Sequence, residues 1–227
     1  AARDRTIMGQ KRESMALTES EKEAIAFHEA GHALCAALLP TADPLHKVTI
    51  IPSGMALGMT MQLPDEERHI YRQDYIEDSL VVRMGGRIAE ELEFGVISTG
   101  AQNDLEGATE LARKMVREWG MSERIGPMAW GSQNQVFLGD DLMNSRDYSD
   151  VTAREIDEEM HRILVFHESR CRDLLTENRS ALNLVARALL EHETISGQEV
   201  ERLVALAAQP ASAGSEESLP AEPSPVD

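Results

Sequence analysis

The segment FHEAGHAL, Phe27–Leu34, sets two histidines four residues apart, with a glutamate directly after the first. On an α-helix, residues i and i+4 share a face roughly 6 Å apart, so His28 and His32 can aim imidazole nitrogens at one metal ion. Glu29 sits about 100° round the helix from His28, near the fourth, water-bearing position of such an ion. There it can accept a proton from water whose pKa zinc lowers towards neutrality. The competing reading is a chance pattern of ordinary helix residues, which a chain of this composition would produce in about 2 of 100 cases. The setting argues against chance. The flanking residues Ala24, Ile25, Phe27, Leu34, Ala36, Ala37 and Leu38 are apolar, and two histidines and a glutamate without a partner there would be costly. Gly31 costs the helix about 1 kcal/mol relative to alanine. It marks either a close packing partner or a tolerated weak spot.

Working outward, TESE (Thr18–Glu21) has the spacing of a capping box, so a helix is expected from Glu19 to about Leu39, stopped by Pro40. KVTII (Lys47–Ile51) is a short β-branched strand, Pro52-Ser53-Gly54 is turn chemistry, and Ala56–Leu63 is a second strand. Gly58 suggests a bulge or a close backbone approach in that hairpin. From Arg72 to about Phe94, Ile76, Leu80, Met84, Ile88 and Leu92 recur every four positions, which is one helix face. Leu105, Ala108, Leu111, Met115 and Trp119 repeat the pattern, with Gly120 at a C-cap position. Further helices are expected near Ser149–Leu175, Ser180–Glu191 and, after a second capping-box spacing at Ser196–Glu199, to about Ala208. The methionines at helical spacing read as core. The fold class expected is mainly α, with one small β-hairpin near the active site.

The chain has 40 acidic and 22 basic residues, a net charge of −18, which argues against a nucleic-acid surface. Aromatic residues make up only 4%, while Leu, Ala, Met and Glu are plentiful, which favours helix. Cys35 and Cys171 are the only cysteines, too few for a disulfide framework, so buried, reduced thiols are expected. No apolar run approaches the roughly 20 residues of a membrane span, and no signal peptide is apparent at the start. Residues 1–17 read as a basic linker, 18–208 as the folded domain, and 209–227 as a disordered acidic tail rich in Pro and Ser.

Two histidines do not complete a catalytic zinc site, which takes three protein ligands and one open position. A third histidine six residues after His32 is ruled out, because Leu38 stands there. Glu90 and Glu91 in GGRIAEEL, and Asp104 in STGAQNDLEGAT, remain as acidic candidates, and the residues alone do not choose among them. Cys35 is rejected as a ligand because a fourth one would close the site to water. His46, His69, His161, His167 and His192 do not stand at ligand spacing from the motif.

HEAGHA, DPLHKVTIIPSGMALGMT, GGRIAEEL and STGAQNDLEGATELARKMVREWGMSERIGP together closely resemble the peptidase domain of the FtsH family, membrane-anchored ATP-dependent zinc metalloproteases of bacteria and organelles. The resemblance runs from about Asp4 to Ala208. It implies a zincin-like helical peptidase domain that forms a homo-hexamer and carries one zinc ion per chain. It makes His28, His32 and Asp104 the metal ligands, Glu29 the general base, and Glu90 a group that orients a histidine. Read from the residues alone, Glu90 is equally an ordinary exposed helix glutamate. The segment Ala56, Leu57, Gly58, Met59 and Thr60 is a candidate edge for substrate to join as an added strand, or simply a structural hairpin. The resemblance also implies an upstream ATPase module and transmembrane segments. This chain has no G-x-x-x-x-G-K-[ST], so ATP would belong to that module, and RDRTIMGQKRES resembles the junction just after it. The expected activity is endopeptidase cleavage of unfolded or membrane-extracted polypeptides at the cytoplasmic face of the bacterial inner membrane, with this fragment soluble. A stand-alone zinc aminopeptidase and a non-catalytic ring scaffold are the rivals. The aminopeptidase would need an acidic anchor for a free amine, and the scaffold would have no use for Glu29.

Overall fold

A computed structural model describes residues 17–53, 56–64, 66–130 and 148–209. The expectations for the basic linker and the acidic tail fall almost wholly outside these residues. Helix α1 spans Glu19–Leu38 and opens on the expected capping box. Thr18 Oγ1 accepts from the Glu21 N–H at 3.2 Å, and the Glu21 carboxylate accepts from the Thr18 N–H at 2.7 Å. All but Lys22 and Glu23 of its charges lie at the start or in the metal motif, so the rest of the helix can be buried, and Ala26, Phe27 and Glu29–Ala36 are. Helix α2 (Gln73–Phe94) packs along α1, and α3 (Gln102–Arg117) follows through a 3-10 turn at Thr99–Ala101. The long α4 (Asp150–Glu177) packs on α2 and α3, and α5 (Arg179–His192) packs on α1. Helix α6 (Gly197–Ala207) closes the chain, capped where Ser196 Oγ accepts from the Glu199 N–H at 3.2 Å. Leu34, Leu80, Ile88, Met115, Leu175, Leu182 and Leu189 fill the centre of one continuous core.

The contact of α1 with α2 depends on glycine. A Cβ on Gly31 would overlap the Gly85 carbonyl oxygen, and a Cβ on Gly85 would lie 2.7 Å from the Gly31 carbonyl carbon. The helix weak spot at Gly31 is therefore a close-packing position, and the cost to helix propensity is offset by the crossing that it allows.

Strands β1 (Leu45–Thr49), β2 (Met59–Gln62) and β3 (Thr194–Ser196) form an antiparallel sheet in the order β2-β1-β3, so β2 is an edge strand. The expected hairpin is present, but β1 starts two residues early and β2 is half the expected length. Ala56 pairs with Ser53 across the turn at 2.9 and 3.1 Å, which keeps Ala56–Gly58 out of the ladder. The register irregularity falls between Leu45 and Lys47, not at Gly58. Strand β3 was not expected: three residues are too few to show alternation, and it is defined by pairing Ile195 with Val48. Gly120 is not the cap of α3, which is Glu118; Gly120 turns the chain after the helix with φ 61°.

Two buried polar groups tie the layers together. Asp78 accepts from Thr41 N–H and Oγ1 at 3.1 and 2.6 Å and from Arg170 at 2.7 Å, joining the exit of α1 to α2 and α4. Cys35 and Cys171 are both free and buried, with sulfurs 3.7 Å apart.

Because the atoms that a Gly31 methyl would meet belong to backbone, they cannot rotate away. Gly31→Ala is expected to lower stability by about 3 kcal/mol in urea unfolding, although an ordinary helical Gly→Ala change would add about 1 kcal/mol. A gain would mean that the crossing is looser than described. His167 is buried at 3% exposure with no partner for Nδ1, and burial pushes its pKa down. The unfolded chain takes up a proton near pH 6.5 that the folded one resists. Stability should therefore fall as pH drops below about 6.5, by up to about 1.4 kcal/mol per pH unit, and His167→Gln should flatten that slope relative to the parent protein.

Candidate metal centre

The geometry of the site follows from which atoms can carry hydrogen. His32 Nδ1 lies 2.7 Å from the Val82 carbonyl oxygen, and His28 Nδ1 lies 2.6 Å from Glu90 Oε1. Both partners are acceptors, which assigns the ring hydrogen to Nδ1 in each histidine. The two Nε2 atoms then face each other at 3.0 Å, and Asp104 Oδ2 stands 3.4 Å from each. Three electron-rich atoms thus converge, an arrangement that calls for a cation. Among the described residues this is the one group of three or more His, Cys, Asp or Glu able to hold a metal ion.

Zinc fits the site. Donors about 2.0–2.1 Å from a tetrahedral ion lie roughly 3.3 Å apart, against 3.0, 3.4 and 3.4 Å here. Two imidazoles and a carboxylate are a borderline-soft set that suits zinc, and three protein donors leave a fourth position open. Electrostatics favour positive charge at this point: without a metal the surrounding acids hold His28 in its protonated form, and a bound metal ion would take the place of its Nε2 proton. Burial opposes charge on His28, but hydrogen bonds to Asp104 and Glu90 outweigh it and raise its pKa to about 9. Burial acts to raise Asp104, but its bonds with His28 and His32 hold it well below the usual carboxylate range.

Each residue comes from a different local device. The capped helix α1 supplies His28 and His32. Gly86 on α2 leaves room for the His28 ring, since a Cβ there would lie 2.5 Å from Cε1 and Nε2. The Thr99–Ala101 turn, capped by Ser98, feeds Asp104 into the first turn of α3. Glu90 is 4% exposed and not an ordinary surface glutamate: one oxygen meets His28 and the other accepts from the Ser98 N–H at 2.9 Å. It couples the loop before Asp104 to the histidine ring. Glu91, the remaining acidic candidate, points elsewhere and pairs with Arg172 at 2.8 Å.

Glu29 lines the same cleft, of about 940 Å³. Burial raises its pKa, while His32, His28 and a hydrogen bond from Thr60 act to lower it. The Thr60 hydroxyl lies 2.7 Å from Glu29 Oε2 and 3.1 Å from the Glu29 carbonyl oxygen. A Cβ on Gly58 would lie 2.6 Å from Glu29 Oε1. Sequence reasoning placed Gly58 and Thr60 only on a substrate strand. Their second contact, a seat around Glu29, has no signature in the chain except that Gly58 invites a close approach, and the partner could not be read. Ala56, Leu57 and Met59 line the cleft as well. Among the described residues no helix is long and apolar enough to cross a membrane.

A helical domain with a His-Glu-x-x-His helix, a carboxylate from a second helix and an edge strand beside them has the parts of a zinc hydrolase. The comparisons with known proteins are specific. Residues 15–203 match the model of Peptidase family M41, and the chain belongs to that family. It is 64% identical over 204 residues to the ATP-dependent zinc metalloprotease FtsH of Acidimicrobium ferrooxidans, covering 90% of this chain and 31% of that protein. It is 52% identical to the FtsH of Nitrosococcus oceani and 53% identical to that of Myxococcus xanthus, covering 89% and 90% of this chain and 32% of each relative. The chain therefore spans about a third of the length of these relatives.

The two carboxylates at the histidines should separate in a competitive chelator titration. Asp104→Asn removes a charge that faces both Nε2 atoms, whereas Glu90→Gln removes an orienting contact worth about 10–100-fold in metal affinity. The Asp104 variant should lose more than that. The reverse order would exchange their roles.

Proposed function

We propose that this domain is a zinc-dependent endopeptidase, the proteolytic part of an ATP-dependent protease acting on unfolded and membrane-extracted polypeptides. His28, His32 and Asp104 would hold the zinc. The observation that carries the reading is the convergence of two imidazole Nε2 atoms and one carboxylate oxygen beside a separately seated glutamate. When bound, zinc supplies Lewis acidity, making water acidic enough to lose a proton near neutrality and polarising the scissile carbonyl.

Glu29 takes that proton at its carboxylate and returns it to the leaving amine. Its burial favours a proton-accepting role near neutral pH. Thr60 fixes Oε2 so that Oε1 is the oxygen left to receive the proton. Glu90 and Val82 hold the two imidazoles as Nδ1–H tautomers, which keeps each Nε2 available. The open edge of β2 can take an extended peptide as an added strand, with backbone hydrogen bonds independent of sequence. That suits an enzyme that cuts many chains once they are unfolded. By its resemblance to the FtsH family, the domain would work as a homo-hexamer beneath an ATPase module. Transmembrane segments in the whole protein would anchor it at the cytoplasmic face of the bacterial inner membrane. In the same reading residues 1–17 are the junction to that module.

Glu29→Gln keeps the side chain's size and removes the base, so zinc content should hold while turnover of an unfolded casein-type substrate falls about 10²-fold or more. Near-normal turnover would overturn the assignment. Thr60→Val should keep zinc and lower kcat about 10-fold, the scale of one hydrogen bond to a charged group. Thr60→Ser should restore it, because only the hydroxyl is needed.

A further inference from the structure

The cleft around the metal centre is lined by five carboxylates and, among the described residues, a single lysine or arginine, Arg83. Every one of those carboxylates is engaged. Glu21 is bonded to Thr18, Glu29 to Thr60, and Asp43 to Tyr75 at 2.7 Å with Arg68 at 3.2 Å. Glu90 is bonded to His28 and Ser98, and Asp104 faces both histidines. Arg83 has no hydrogen bond or ion pair among the described residues. In a chain with 40 acidic and 22 basic residues, a partly buried arginine with no acid within ion-pair distance among the described residues is a cation without a partner.

Its position is built. Arg83 follows Val82, whose carbonyl accepts from His32. Its guanidinium lies in a notch on α3 at Gly107, where an added Cβ would overlap Nη1. Gly107 is one turn beyond Asp104, on the same side of α3. The guanidinium thus lines the same cleft as the metal centre, where a bound peptide would lie. A planar guanidinium recognises carboxylates through paired N–H donors.

We propose that Arg83 forms a subsite for a carboxylate of the bound peptide, an Asp or Glu side chain within about two residues of the scissile bond at roughly 3.3–3.6 Å per residue, or a chain terminus. The proposal rests on the reading of this cleft as a peptidase site. It gives that site a preference for acidic sequence which a strand-adding edge alone would not have.

The test uses the full chain loaded with zinc and a set of short unfolded peptides in which Glu or Gln is moved through each position around one cleavage site. All carry amidated ends, and one pair compares a free with an amidated C-terminus. Cleavage is followed in the parent protein, and binding is followed by fluorescence anisotropy in the Glu29→Gln background. At one position Glu should be favoured over Gln by about 5-fold, as expected for a partly exposed ion pair. Arg83→Gln should bring that ratio to about 1, and Arg83→Glu should bring it below 1, so that Gln is favoured. Gly107→Val, which moves the guanidinium without removing its charge, should also reduce it. If only the free C-terminus gives the preference, the carboxylate is the chain end. A ratio near 1 at every position and at the terminus in the parent protein, or a preference that survives in Arg83→Gln, overturns the proposal. If no peptide is cut but the binding ratios behave as stated, the peptidase reading fails and the carboxylate subsite stands.

Discussion

The approach of α1 to α2 across Gly31 and Gly85 is the constraint on which the site depends. Without a Cβ on either side, two backbones touch, and everything else near the metal centre is measured from that contact. It sets the Val82 carbonyl against His32 and the Glu90 carboxylate against His28, one from each side of the glycine pair on α2. Gly86 extends the same logic to the His28 ring. A methyl group at this crossing would separate the histidines from the groups that fix their tautomers while leaving the motif intact in sequence.

Much of this was legible in the chain because it is local. The capping box at Thr18, the four-residue spacing of the histidines and the four-residue apolar repeat of α2 are all encoded within one or two helical turns. What could not be read were contacts between segments. Glu90 and Glu91 are adjacent and chemically alike, and only the packing of α2 decides that one faces His28 and the other Arg172. Strand β3 has three residues and exists because Val48 offers a partner. The Thr60–Glu29 bond joins positions 31 residues apart, and a threonine in a strand is too common to announce it. The resemblance of four motifs to one family supplied Asp104 as the third donor, a choice that spacing alone could not make.

The charge of the chain takes a different meaning once the cleft is seen. A net −18 argues against a nucleic-acid surface but says nothing of where the acids lie. The acids nearest the metal centre are each engaged, held by a hydroxyl, an amide or an imidazole. Local electrostatics in the cleft are therefore set by few groups, which is why one arginine there can matter in a strongly acidic molecule.

Strand β2 has two sides with two duties. One fastens the carboxylate of Glu29 through Thr60 and the gap at Gly58; the other is an open ladder edge. In the proposed reading, a peptide that joined the edge in good register would pull the strand into alignment and with it Glu29, and one that joined badly would shift both together. Discrimination among substrates would then be expressed in the speed of the chemical step more than in how tightly a chain is held, and a poor fit would be released uncut.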